Sequence, residues 1–242
     1  MKAAAATDRG RVRPANEDSV LADQQAGILI VADGMGGHAA GEVASDIAVR
    51  IIAGGLREAL ASGRAEEDVP GLLRRVIGQA NLAIRERGDC DPSLRGMGTT
   101  LAMALVCQGR LWLAHVGDSR VYQLRDGRIR RLTEDHSLVC QMVRAGQITP
   151  EEARKHHLRN VITRSLGFEA NALPEIQEAE WAPGDYLLLC SDGLTNLIDD
   201  SEIAVVVNGR GPDLTAACRE LIALANERGG ADNISAVVAL NA

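Results

Sequence analysis

Short apolar runs bounded by glycine and polar residues recur along the chain. Such runs are typical of β-strands, especially where they are rich in β-branched residues. The predicted strands are residues 3–8, 19–22, 28–32, 100–107, 110–116, 119–125, 128–132, 175–181, 186–190 and 234–240. Asp126-Gly127 is a hairpin-turn signal between two of them. We therefore expect residues 100–132 to form an antiparallel meander.

Other stretches carry apolar residues at helical spacing. Ala39 to Ala61 and Val69 to Arg87 are predicted helices, and the second has a broad apolar face. Further helices are predicted at 138–146, 199–207 and 214–228, and a short one begins with a capping box at Thr149-Pro150-Glu151-Glu152. Because strands and helices do not alternate, the pattern predicts an α+β protein with antiparallel sheets and helices on the outside.

The segment from Glu134 to Leu166 is polar and rich in histidine and arginine. It connects two strand-rich regions, and we interpret it as a mobile flap. A solvated connector is the alternative, which no feature of the sequence excludes. The chain has no internal repeat, low-complexity run or linker, so we expect residues 1–242 to form a single domain.

Composition narrows the class of protein. The net charge is −7, and the aromatic residues are only two Trp, two Tyr and one Phe, so the chain lacks a basic or stacking surface for nucleic acid. The five cysteines form no close pair, which argues against a disulfide framework or a zinc site and favours reduced thiols in the cytoplasm. No stretch has the length of a membrane span or a signal peptide. We expect neither nucleic acid nor membrane as a partner.

Four aspartates lie at predicted strand edges beside glycine or a small residue: Asp33, Asp118, Asp192 and Asp232. Each alone could be a turn former. If the strands lie side by side, however, the carboxylates converge and repel one another unless cations occupy the site. Carboxylates and backbone carbonyls such as that of Gly34 are hard oxygen ligands that suit Mg²⁺ or Mn²⁺. Metal pairs of this kind activate a water molecule and clamp a phosphoryl group.

Two further features bear on this hypothesis. Arg13 is a candidate to grip a phosphate, because its planar guanidinium pairs bidentately with oxyanions, although a surface arginine in a loop is the more ordinary interpretation. Gly34 to Ala39 matches a dinucleotide fingerprint, G-x-G-x-x-A. We disfavour that alternative, because Asp33 would face a pyrophosphate and the elements do not alternate into a parallel sheet.

Taken together, six motifs stand in the order found in the metal-dependent protein phosphatases, the PPM or type 2C serine/threonine phosphatase family. They are Arg13-x-x-Asn16-Glu17-Asp18, Asp33-Gly34-Met35-Gly36-Gly37-His38, Gly96-Met97-Gly98-Thr99-Thr100, Gly117-Asp118-Ser119-Arg120, Ser191-Asp192-Gly193-Leu194 and Gly230-x-Asp232-Asn233. The resemblance covers nearly the whole chain. The Asp-Gly-Met-Gly-Gly version and the compact length are similar to those of bacterial members.

The resemblance implies a central β-sandwich of two antiparallel sheets flanked by helix pairs, with a flap at about residues 134–166 near the active site. It also implies a dinuclear metal centre. By that analogy Asp33 bridges both ions, the Gly34 carbonyl ligates the second, and Asp192 and Asp232 hold the first. Asp118, with Asp192, resembles a third-metal site.

The remaining roles follow from the same resemblance. Glu17 and Asp18 orient water molecules, Arg13 binds the substrate phosphate and Asn233 supports Asp232. The Thr99-Thr100 and Ser119-Arg120 matches are expected to be structural. Met35 stands where eukaryotic relatives have a histidine, so the general acid is open between His38 and a water molecule held by the ions. His115, inside an apolar strand, is expected to be a core histidine.

The implied function is hydrolysis of phosphoserine and phosphothreonine in proteins by a water molecule that two Mn²⁺ or Mg²⁺ ions activate, with a third ion as an option. Phosphorylated proteins are the expected substrates, a Hanks-type serine/threonine kinase is the expected counterpart, and we expect a cytoplasmic monomer. A phosphatase-like binding protein without catalysis is an alternative, but such proteins are expected to lack one of the metal acids, and this chain lacks none.

Overall fold

The computed structural model describes residues 1–36, 40–63, 68–170 and 172–242. The strands are β1 (Lys2–Asp8), β2 (Asp18–Asp23), β3 (Ile28–Met35), β4 (Gly98–Thr99), β5 (Leu101–Cys107), β6 (Arg110–Val116), β7 (Arg120–Arg125), β8 (Arg128–Arg131), β9 (Glu175–Ala179), β10 (Tyr186–Cys190) and β11 (Ile234–Leu240). The helices are α1 (Ala40–Ala61), α2 (Val69–Cys90), α3 (Leu138–Arg144), α4 (Pro150–Lys155), α5 (Asp192–Thr195), α6 (Asp200–Arg210) and α7 (Leu214–Glu227).

The strands form two antiparallel sheets. The first has the order β1-β11-β10-β7-β8, and the second has the order β2-β3-β5-β6-β9, with β4 paired to β3. The side chains between the sheets are aliphatic, and Leu29 and Val31 of β3 belong to the same core as Leu187 and Leu189 of β10. This inter-sheet layer is the centre of a β-sandwich.

Each outer face of the sandwich is covered by helices. Ile28 and Ile30 alternate with the inter-sheet residues of β3 and pack with α1 and α2, whereas Leu188 and Val238 pack with α6 and α7. Because β3 is buried on both faces, its sequence is a continuous apolar run instead of an alternating one. The predicted sandwich of two antiparallel sheets flanked by helix pairs is confirmed.

The predicted meander over residues 100–132 is wrong. Strands β5 and β6 pair in the second sheet, whereas β7 and β8 pair in the first, so the chain changes sheets between Val116 and Arg120. Gly117 has φ +103°, and a Cβ atom there would lie 2.7 Å from Cγ2 of Thr100, so only glycine fits this crossing. The hairpin at Asp126-Gly127 is confirmed, with positive φ at both residues as a type I′ turn requires.

Strand β3 also differs from its prediction. It continues to Met35 instead of ending at Ala32, because Gly34 pairs with Thr99 and Met35 with Gly98. The antiparallel neighbours of β3 exclude the parallel sheet that a dinucleotide site would need. Residues 37–39 of that fingerprint, including the predicted helix start at Ala39, lie outside the described residues.

The flap segment contains α3 and α4, and its two ends are joined by hydrogen bonds. The amide of Thr163 donates to the carbonyl of His136 at 2.7 Å, which joins the two ends to each other. Leu166, the last residue of the flap, exchanges two backbone hydrogen bonds with Thr99 of β4, which ties the flap to the second sheet. The capping box at Thr149 is confirmed. Within the described ranges, every helix is too short or too polar to cross a lipid bilayer.

Removing side-chain volume from the inter-sheet core should destabilise the fold. We expect Leu189→Ala, at a position with no exposed surface, to lower the free energy of unfolding by about 2–5 kcal/mol through loss of burial and a residual cavity. Urea denaturation of the metal-free protein measures it. Val205→Ala, at a position 73% exposed on α6, is the control and should change stability by less than about 0.5 kcal/mol. Equal effects of the two substitutions would contradict the assigned core.

Candidate metal centre

Aspartates from both sheets meet at one edge of the sandwich. Asp33 lies in β3 opposite Asp18 of β2, and Asp118 lies in the turn where the chain changes sheets. Asp192 begins α5 directly after β10, and Asp232 lies two residues before β11. Strand ends of both sheets therefore supply this aspartate cluster, which consists of Asp18, Asp33, Asp118, Asp192 and Asp232.

The aspartate cluster is electrostatically strained. The pKa of Asp33 is raised well above its usual value, first because the protein shields the carboxyl group from water and then because the other four carboxylates repel its charge. Loss of hydration is also the main cause that raises the pKa of Asp18 to about 7 and that of Asp118 to about 8. The pKa of Asp192 is raised by the same cause and then by the charge of Asp232. Bound cations would relieve this repulsion.

Backbone hydrogen bonds fix Asp33 at the centre of the cluster. Its amide donates to Oγ1 of Thr100 at 3.0 Å, and its carbonyl accepts from the amide of Thr100 and from Oγ1 of Thr99, each at 2.9 Å. The amide of Gly34 donates to the carbonyl of Glu17 at 3.2 Å. The Thr99-Thr100 pair is thus structural, as expected from the sequence.

Asp18 is held by a serine that the sequence reasoning missed. Oγ of Ser191 donates to Oδ2 of Asp18 at 2.8 Å and accepts from the amide of Ser235 at 3.0 Å. The other carboxylate oxygen of Asp18, Oδ1, is buried and has no hydrogen-bond partner among the described residues. A buried acceptor without a partner is costly, so a hydrogen-bond donor from outside the described residues would stabilise this oxygen.

Asn233 joins the loop before β2 to the start of β11. Its Oδ1 accepts from the amide of Glu17 at 2.8 Å, and its Nδ2 donates to the carbonyls of Arg9 and Ala15, both at 2.9 Å. Its own amide donates to Oδ1 of Asp232 at 2.8 Å. One buried side chain therefore ties the segment that carries Arg13 and Glu17 to the cluster.

Arg13 lies at the rim of the cluster. Its Nη2 donates to Oδ2 of Asp232 at 2.7 Å, and its side chain is 52% exposed. This hydrogen bond is the main cause that raises the pKa of Arg13. The pKa of Glu17 is raised as well, mainly by loss of hydration. Because a guanidinium group carries five N–H donors, Arg13 can bind a further anion from this position.

The residues present fit a divalent cation of the hard class. The donors that the structure brings together are aspartate carboxylates, among them the buried, unpartnered Oδ1 of Asp18. Oxygen donors of this kind suit Mg²⁺ or Mn²⁺. His38, a candidate for the general acid, lies outside the described residues.

The centre opens into a cleft. Asp118 and Asp192 line a cavity of about 990 Å³ between the flap helices and the start of α6. Its walls include Val139 of α3 and Ile198 just before α6, together with Arg154 of α4. The cleft is large enough for a peptide segment to approach the aspartates.

Comparison with known sequences identifies close relatives. The family model described as protein phosphatase 2C matches residues 11–238. The chain is 41% identical over 236 residues to the serine/threonine phosphatase stp of Listeria monocytogenes, and the match covers 96% of this chain and 92% of that protein. It is 42% identical over 245 residues to the serine/threonine protein phosphatase PstP of Mycobacterium tuberculosis, a match that covers 99% of this chain but only 45% of PstP.

Solved structures agree. The crystal structure of Mycobacterium tuberculosis PstP superposes with a TM-score of 0.86 at 42% identity, covering 98% of this chain and 97% of that one. The catalytic domain of PstP in complex with two manganese ions superposes with a TM-score of 0.85 at 41% identity, covering 98% and 96%. These matches confirm the family resemblance that the six motifs carry.

The raised pKa values predict how pH acts on stability. A carboxyl group with a raised pKa stabilises the folded protein below its unfolded pKa, and this contribution is lost as pH rises through the folded pKa. For Asp18 and Asp118 the window runs from 3.8 to about 7 and about 8, respectively. We expect these two groups to lower the melting temperature of the metal-free protein as pH rises through this range. The stabilisation by Mn²⁺ should increase over the same range, because its ligands lose their protons.

Thermal melts with chelator and with Mn²⁺ at pH 5.5 and pH 8 provide the measurement. The Mn²⁺-induced rise in melting temperature should be larger at the higher pH. Asp118→Asn removes one of the titrating groups, so its metal-free melts should depend less on pH. A rise that is equal at both pH values, or larger at pH 5.5, would contradict the assignment.

Proposed function

The chain belongs to the protein phosphatase 2C family of metal-dependent serine/threonine phosphatases, and we propose that it dephosphorylates phosphoserine and phosphothreonine in proteins at the aspartate cluster. The observation that carries the proposal is the convergence of five mutually repelling carboxylates beside the half-exposed Arg13. We propose that residues 1–242 form one catalytic domain with a flap at about residues 134–166.

The aspartate cluster would hold the ions. Asp33 would be shared by two of them, Asp192 and Asp232 would hold the first, and the carbonyl of Gly34 would hold the second. Asp118 is assigned to a third ion, because its pKa is raised by loss of hydration and then by the charge of Asp192. Bound Mn²⁺ or Mg²⁺ lowers the pKa of a water molecule and neutralises charge on the phosphoryl oxygens.

The side chains around the ions have their own tasks. Arg13 binds the phosphoryl oxygens through its free N–H groups and so offsets negative charge in the transition state. Oδ1 of Asp18, buried and without a partner in the described part of the chain, accepts a hydrogen bond from a water molecule and orients it. Glu17, whose backbone amide is held by Asn233, has the same task.

The departing seryl or threonyl oxygen needs a proton. His38 remains a candidate, and a solvent water is the alternative. His115 is excluded, because burial lowers its pKa to about 4 and its Nε2–H is engaged by the carbonyl of Gly117 at 2.8 Å. At neutral pH this ring has no spare proton to give.

The biological setting belongs to the same proposal. Phosphorylated proteins are the substrates, a Hanks-type serine/threonine kinase is the counterpart, and the enzyme acts as a cytoplasmic monomer. Free thiols at Cys90, Cys140, Cys190 and Cys218 support a reducing compartment.

Neutralising one proposed metal ligand should abolish the activity. We expect Asp192→Asn to lower the rate of phosphopeptide hydrolysis with saturating Mn²⁺ by at least about 100-fold, because the first ion loses a charged ligand. Asp89→Asn, at an exposed position of α2, is the matched control and should behave as wild type. Wild-type activity in Asp192→Asn, or no Mn²⁺-dependent turnover in the unchanged protein, would overturn the proposal.

Removing the guanidinium group should weaken substrate binding. We expect Arg13→Ala to raise KM for a phosphopeptide about tenfold or more, because a charged hydrogen bond contributes about 1.5–3 kcal/mol. Arg13→Lys should recover part of the loss, since it restores the charge but not the bidentate geometry. Steady-state kinetics provide the measurement, with Arg75→Ala, exposed on α2, as control. An unchanged KM in Arg13→Ala would show that Arg13 does not bind the phosphate.

A further inference from the structure

The turn that carries Asp118 is held by two histidines. The carbonyl of the preceding Gly117 accepts from Nε2 of His115 and from the backbone amide of His136, each at 2.8 Å. The amide of Gly117 donates to Nδ1 of His136 at 3.1 Å. His136 thus binds both polar groups of Gly117, one through its backbone and the other through its ring.

This contact fixes the tautomer of His136. Because Nδ1 accepts a hydrogen bond, the neutral ring must carry its proton on Nε2. Nε2 lies 3.1 Å from Oε1 of Glu175, the first residue of β9, and the ring is only 7% exposed. The carboxylate of Glu175 thus favours the tautomer in which Nδ1 is free to hold the amide of Gly117.

The same residues resemble a metal site at first sight. Donor atoms of His115, His136 and Glu175 lie within 4.8 Å of one another, the one such trio found in the described ranges. The tautomer argues against a cation here, since Nε2 of His136 carries a proton and its Nδ1 lone pair is occupied. The guanidinium of Arg164, 3.5 Å from Oε1 of Glu175, adds positive charge. These contacts favour a positional role over ligation.

The far side of the turn is anchored as well. Oγ of Ser119 hydrogen-bonds Oγ1 of Thr100 at 2.7 Å, and Thr100 also holds the backbone of Asp33. Arg120 donates to both carboxylate oxygens of Asp135 at 3.0 and 2.8 Å. Asp118 therefore lies between one anchor shared with Asp33 and another formed by the base of the flap.

We propose that His136 is a positioning residue that sets the carboxylate of Asp118 through the backbone of Gly117, so that cation binding at Asp118 depends on the base of the flap. The inference rests on the proposed function, because it takes Asp118 as a ligand. His136 lies where the flap begins, and its carbonyl accepts from Thr163 near the flap's other end. Displacement of the flap base would therefore move Asp118 and change its affinity for the ion.

Two substitutions distinguish the role of the hydrogen-bond acceptor Nδ1 from the role of the volume of the ring. His136→Leu fills a similar volume but removes the acceptor for the amide of Gly117. His136→Asn keeps an acceptor oxygen at the position of Nδ1. Mn²⁺ binding is measured without substrate, by electron paramagnetic resonance of the free ion, and the Mn²⁺ activation curve for phosphopeptide hydrolysis is recorded in parallel.

We expect His136→Leu to weaken binding of the Mn²⁺ ion assigned to Asp118 by about 10- to 100-fold, as is typical when a residue supporting a ligand is lost. His136→Asn should stay within about threefold of wild type, and Asp118→Asn should lose the same ion. His157→Leu is the control, because His157 is an exposed flap histidine whose ring stacks on His156. It should bind Mn²⁺ as wild type does.

The outcomes distinguish the two proposals. If Asp118→Asn loses an ion and His136→Leu binds Mn²⁺ as wild type does, the role of His136 is refuted and the metal centre stands. If Asp118→Asn binds all ions normally, the assignment of Asp118 fails and the role of His136 fails with it. Should His136→Leu not fold, Glu175→Leu decides, because it removes the carboxylate that favours the Nε2–H tautomer, and it does so at a position with a half-exposed side chain. Unchanged Mn²⁺ binding in that variant would also refute the role.

Discussion

The structure depends on keeping like-charged carboxylates close together at one edge of the sandwich. Their mutual repulsion and lost hydration oppose folding, and the aliphatic layers between and outside the sheets must offset that cost. Position is enforced by neutral partners: Thr100 holds the backbone of Asp33, Ser191 holds the carboxylate of Asp18, and Asn233 holds the loop beside them. Divalent cations bound at this edge would relieve the repulsion, so the same cost to folding would favour their binding.

The flap is connected to this edge at both of its ends. His136, near its beginning, holds Gly117, and Leu166, at its end, pairs with Thr99, whose hydroxyl holds Asp33. The cleft between the flap and α6 opens directly onto the cluster. A protein substrate that contacts the flap would therefore act on the backbone that positions the acids, without touching the acids themselves.

Much of the fold followed from the sequence because its signals are local. The continuous apolar run of β3, the hairpin at Asp126-Gly127 and the capping box at Thr149 each depend on neighbouring residues. The predicted meander was wrong because a strand pattern does not indicate which sheet the strand joins. Here the chain changes sheets at Gly117. Strand β3 ran past its predicted end because its last residues pair with β4, a distant segment.

The candidate site likewise has features that the sequence predicts and contacts that it does not. Acids beside glycine at strand ends are visible in the sequence, and the family resemblance supplied their expected roles. The hydrogen bond from Ser191 to Asp18 joins residues 173 positions apart, and the bonds that hold Gly117 depend on the ring orientation of His136. Such contacts have no periodicity or spacing by which a sequence could reveal them, since they arise only when separate elements pack.

Strand β11 lies between β1 and β10, and the residue just before it, Asn233, secures the loop that leads into β2. Strand β1, the first of this sheet in chain order, therefore has no partner in its sheet until β11, the last in chain order, has been made. Synthesis interrupted before β11 would leave the first sheet divided and the loop around Arg13 untethered. Chains that lack β11 would therefore be inactive. Phosphatase activity would begin only when β11 joins the sheet, so no partly folded form would act on cellular phosphoproteins beforehand.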